Sequence, residues 1–256
     1  MAEKLNTQTA APKDVVANVL KLLVALSRQH SLEPLKQLFW SELNYERANR
    51  PLSRRGWLDK TAAALLEDPL LFATGGNDES FHVIYLRLAS DQLSLSDERS
   101  IVTQLLKDHL DSLFIFSNRS QDKWHFLNVK SDEKNNSRLL FRRITVGPEE
   151  QLRTASERLA MLNLADIDPT LSNILVLKIL SRHEQAFDVE AVTKKFFEQY
   201  HVVFERVEQL IQGLTEPEHK RLFTQRLFNR LMFIAFIQKK GWLKLNGQLV
   251  VSPDCY

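Results

Sequence analysis

Apolar side chains recur along this chain at two different periods, and the change of period marks out its elements. Val15, Val19, Leu22, Leu23 and Leu26 follow helical spacing behind Asp14, a residue suited to capping a helix, so a helix is predicted to about Arg28. Leu35, Leu38, Phe39 and Leu43 share one face of a second helix, from about Leu32 to Arg47. Pro34 falls in its first turn, where a missing N–H costs nothing. The period then shortens. Leu70–Thr74 and Phe81–Leu88 read as strands separated by Gly75-Gly76-Asn77-Asp78, a turn composition. Phe81–Leu88 is nearly continuous in apolar residues, as in a strand buried on both faces. A helix is predicted from about Ser96 to His109, with Asp97 and Glu98 in its first turn to suit the helix dipole. Strands follow at Ser112–Ser117, Trp124–Lys130 and Arg138–Val146, joined by polar turns into an antiparallel meander.

Between these lie a basic connector at 49–56 and a helical stretch from Trp57 to Glu67. Pro148 opens a helix that runs to about Leu164. Beyond Pro169 the pattern is helical at 170–182, 189–212 and 216–240, with Gly213 and Gly241 as stops and Leu249–Val251 as a short strand. The expected fold is α+β: a central, mostly antiparallel sheet with packed helices, followed by a helical C-terminal part. The expected division is N-terminal helices at 1–56, a sheet domain at 57–165 and a helical region at 166–256. The last long helix is apolar nearly all round from Leu231 to Ile237, which is the pattern of a buried helix. Phe187, Phe196, Phe197, Tyr200 and Phe204 are the residues available to cover it. Any excess apolar surface would be an interface for a partner or a missing domain.

Composition narrows the picture. The 256 residues are 44% hydrophobic and 26% charged, ordinary for a globular chain, and seven Gly are few for tight-turned all-β folds. A net charge of +2 leaves any basic surface to be local. The single cysteine, Cys255, excludes an internal disulfide and a cysteine zinc site, and fits a reducing, cytoplasmic setting. No apolar run approaches the roughly 18 residues of a membrane span, the Phe223–Leu243 block being broken by Arg226 and Arg230, so no membrane partner is expected.

No phosphate-binding Gly-rich loop and no His-Glu-x-x-His occurs, so neither a cofactor nor a metal is indicated. The seven histidines are scattered. A magnesium nuclease would carry Asp on one strand and Asp/Glu-x-Lys on the next. Here Asp132-Glu133-Lys134 lies in a polar turn, Phe81–Leu88 has no carboxylate, and Asn128-Val129-Lys130 offers Asn, a poor substitute. Basic residues gather on the meander instead: Arg119, Lys123, Lys130, Lys134, Arg138, Arg142 and Arg143, with Trp124 and His125 among them. Such interleaving suits nucleic acid, cations meeting phosphates and rings meeting bases. The plain alternative is a solvated sheet face. Arg226 and Arg230, four apart, form a second basic pair on one face of the last helix.

Six stretches together resemble a known family. They are Phe81–Leu88, Leu113–Asn118, Trp124–Lys130, Arg153–Leu159, Ala186–Tyr200 and Phe223–Leu243. The set resembles the N-terminal region of type IIG-like bacterial restriction–modification polypeptides, in which this part precedes an adenine-specific DNA methyltransferase domain. The resemblance spans about residues 80–243. It implies a non-catalytic DNA-binding or docking module of a phage-defence system, with DNA or a methyltransferase domain or subunit as partner. The expected DNA contacts are Arg119, Lys123, Lys130, Arg138, Arg142, Arg143, Arg226 and Arg230. The methyltransferase's Asn-Pro-Pro-Tyr motif and cofactor loop are missing, so methylation by this chain alone is not expected. The chain stops where that half would start, as a truncated module would. A divergent Mg-dependent endonuclease and a purely structural interaction protein or remnant stand as the alternatives.

Overall fold

A computed structural model describes residues 13–76, 79–132, 135–167, 172–239, 242–245 and 248–249, with side chains described for all of these except 131–132, 135–138, 172–174, 189–195, 239, 244–245 and 248–249. The fold is α+β, and the chain forms two compact units, Met1–Asp188 and Val189–Tyr256.

The first unit is built on a six-stranded sheet in chain order: β1 (Glu46–Pro51), β2 (Leu70–Gly75), β3 (Phe81–Arg87), β4 (Ser112–Ser117), β5 (Trp124–Asp132) and β6 (Asn135–Val146). All neighbours are antiparallel except β3 and β4, which run parallel because helix α4 (Leu95–Leu105) carries the chain back between them. Helices cover both faces. One face packs under α1 (Lys13–Leu26), α2 (Glu33–Lys36), α5 (Leu152–Ala160) and α6 (Ser172–Ala186), around Phe72, Phe81, Tyr85, Ile115, Trp124 and Phe126. The other packs under α4, around Ile84, Leu86, Phe114, Phe116 and Leu127. Two-sided cover explains why β3 and β4 read as continuous apolar runs: every residue of β4 is buried. Ser94 caps α4, its side chain accepting from the Asp97 N–H. Gly76 turns the chain out of β2 at φ +86°, where an added Cβ would lie 2.5 Å from Ser80 Oγ.

Three sequence expectations change. The helix expected to reach Arg47 ends early: α2 runs into a π-helical turn at Gln37–Glu42, and Asn44 takes φ +61°, which ends helical geometry. The segment expected as a basic connector supplies β1 from Glu46, with a bulge between Arg47 and Arg50. The Trp57–Glu67 stretch is helical only over α3 (Asp59–Ala63), because Leu65 bridges to Leu88 instead. The meander and the Phe81 strand stand where expected.

The second unit consists of α7 (Val189–Leu210), α8 (Pro217–Lys239) and a small hairpin, β7 (Lys244–Leu245) with β8 (Gln248–Leu249). Gly213, at φ +84°, lies in the turn between the two helices. Gly241, Val250 and Val251 fall outside the described residues.

Candidate functional site

Strand alternation decides where the meander's basic residues point. In the β5–β6 ladder Asn128 faces Arg142 and Leu127 faces Arg143, so the two adjacent arginines lie on opposite sides of the sheet. Arg143 points to the α4 side. There Glu98, only 1% exposed, accepts a 2.6 Å hydrogen bond from His125 Nδ1, and Arg143 Nη2 stands 3.9 Å from its other oxygen. Glu98 Oε2 and Arg143 Nε find no hydrogen-bond partner among the described residues. Arg143 thus helps tie α4 to the sheet, and Arg143→Glu would set a second carboxylate against Glu98 and test folding before it tested DNA.

On the opposite side, Lys130 pairs with Glu184 of α6 at 2.5 Å. Arg142 lies near Arg158, whose Nε donates to the Ala186 carbonyl and whose guanidinium stands over the Phe187 ring. Burial, opposed by Asp188 and reinforced by Arg142, pulls the Arg158 pKa below its ordinary value. Arg119 and Lys123 are exposed on the β4–β5 turn. That turn is well fixed: Asn118 Oδ1 accepts the N–H groups of Asp122 and Lys123, and Arg87 donates twice to the Arg119 carbonyl. The Arg138 and Lys134 side chains lie outside the described residues. The structure therefore holds Arg119 and Lys123 on one turn, pairs Lys130, and parts Arg142 from Arg143.

The carboxylate–carboxylate–lysine arrangement of a nuclease finds no support in β2 and β3, whose residues include no Asp or Glu. Asp132 ends β5, and Glu133 and Lys134 fall outside the described residues. Among the described residues no three His, Cys, Asp or Glu side chains come together to hold a metal. A surface cavity of about 410 Å³ lies beside the α7–α8 turn and is lined by Glu205, Glu208, Gln209, Thr215, Pro217 and Lys220.

The second unit is organised around aromatic rings. Tyr200 and Phe204 of α7 meet Phe228 of α8 with centroids 5.3 and 5.4 Å apart, and Thr224 is wholly buried. Among the described residues the aromatic contacts of that seam end at Phe228. Beyond it Leu231, Met232, Phe233, Ile234 and Phe236 are all exposed, Phe233 at 63%. Trp242 is 70% exposed and touches Phe236 by an edge at 6.3 Å. Phe196 and Phe197 of α7 are exposed as well. Arg226 and Arg230 stand exposed on α8, one turn apart. The sequence identified the apolar block but not how far α7 covers it. No helix among the described residues is long and apolar enough to cross a membrane. No protein-family model, curated protein or solved structure matches the chain.

Proposed function

We propose that the chain is a non-catalytic docking module of a restriction–modification or related phage-defence system, and that α8 is the element it offers to a protein partner. The observation that carries this reading is the exposed run Leu231–Phe236. Five large apolar side chains in one and a half helical turns exceed what a water-facing helix ordinarily carries, and a helix of this kind seats in an apolar groove. The resemblance supplies the partner's class, an adenine-specific DNA methyltransferase domain or subunit. A second reading, DNA contact through α8 itself, is favoured by the exposed Arg226 and Arg230 beside the apolar run.

One experiment separates the two. The purified chain is presented to an adenine-specific DNA methyltransferase domain of the kind the resemblance names and, separately, to a DNA duplex over a salt series. Phe233→Asp with Ile234→Asp is expected to abolish methyltransferase capture, and Arg226→Glu with Arg230→Glu to leave it intact. Capture by the aspartate variant at the parent's level would sink the docking reading. DNA binding that weakens with salt, and that only the glutamate pair removes, would support the second reading in its place.

A further inference from the structure

His82 and His109 bring their Nδ1 atoms to 3.1 Å. His82 lies near the start of β3, and His109 stands in the segment leading from α4 into β4. The backbone fastens the two places together, the His82 N–H donating to the Asp111 carbonyl at 2.9 Å. The ring centroids are 4.8 Å apart and the planes cross at 84°.

A 3.1 Å separation is that of two nitrogens each about 2.1 Å from one shared ion, the length of a bond from zinc to an imidazole nitrogen, at an angle of about 95° that two neighbouring ligands of one ion adopt. The same spacing lets one ring donate an N–H···N hydrogen bond to the other.

We propose that His82 and His109 form an exchangeable site for a divalent transition metal of the zinc, copper(II) or nickel(II) class, bound through both Nδ1 atoms. Imidazole suits these ions and not magnesium or calcium, which take oxygen ligands. Both rings are part-exposed, which leaves an entry path. Among the described residues no third His, Cys, Asp or Glu joins them in position to ligate. Water then completes the shell, as suits an ion that exchanges and not one locked into a closed structural site.

The test is Cu²⁺ titration of the full chain, followed by electron paramagnetic resonance, with Zn²⁺ as competitor. One equivalent is expected to bind with hyperfine coupling from two imidazole nitrogens. His109→Ala and His82→Asn should each weaken uptake by roughly tenfold or more, a loss that removing an outer-shell partner already causes, and leave one coupled nitrogen. Circular dichroism confirms that each variant is folded, and His109→Ala, outside any strand or helix, carries the comparison if His82→Asn is not. Absence of uptake by the parent overturns the proposal. So does unchanged uptake in a double variant, which would place the ion elsewhere, for instance at the His201–Glu205 pair.

Discussion

His183 is wholly enclosed, its ring 4.4 Å from that of Phe81 and its Nε2 sharing a 2.8 Å hydrogen bond with the Tyr45 hydroxyl. Burial pulls its pKa from 6.5 down to about 3 and pushes that of Tyr45 up. The folded protein therefore keeps this ring neutral where the unfolded chain protonates it. Its contribution to stability is complete above pH 6.5 and is lost progressively as the pH falls from 6.5 towards 3. Urea unfolding is expected to lose about 1.4 kcal/mol per pH unit to this group once the pH is well below 6.5. His183→Asn should flatten that slope, and an unchanged slope would remove His183 as the cause. Tyr85 shows the same economy of burial. Its hydroxyl lies 2.8 Å from Ser117 Oγ and accepts from Gln121 Nε2 at 2.9 Å, and burial raises its pKa to about 12, so it remains a neutral phenol.

Elements whose apolar side chains repeat regularly could be read from the sequence, and those shaped by pairing could not. β3, β4 and the start of β5 were legible because burial on both faces left Phe81-His-Val-Ile-Tyr-Leu and Leu113-Phe-Ile-Phe almost without polar interruption. β1 was not. Its six residues, Glu46-Arg-Ala-Asn-Arg-Pro, are exposed at all but Ala48, and it is a strand only because β2 pairs with it. The candidate site fared likewise. Counting Arg142 and Arg143 as one basic surface overlooked the two-residue repeat that sends them to opposite faces. Placing Glu98 in the first turn of α4 was right, but a helix-dipole argument could not foresee that the same side chain reaches inward to His125. The His82–His109 contact joins residues 27 positions apart through a parallel pairing, and no local spacing announces it.

Across the molecule, the burial is uneven. Every buried hydrophobic side chain among the described residues belongs to the first unit, the last being Phe187. A fragment ending at Asp188 is accordingly expected to keep the urea midpoint of the whole chain. Tryptophan fluorescence reports it well, since Trp124 is fully buried there, and a midpoint clearly below the parent's would show that the core is not self-sufficient. The sheet of that unit is open, and its two edges are β1 and β6. β1 carries Arg47, Arg50, a bulge and Pro51, while β6 carries Arg138, Arg142 and Arg143. Addition of one copy's β1 to another's would bring Arg47 and Arg50 against their counterparts, with Glu46 and the Arg50–Glu79 ion pair offsetting part of that repulsion. That edge is thus guarded against self-templating by repulsion, and repulsion is what salt removes. Light scattering should show slow aggregation rising with ionic strength, and Arg47→Ser with Arg50→Ser should bring it on at low salt; scattering indifferent to both would mean that the bulge and Pro51 protect the edge unaided.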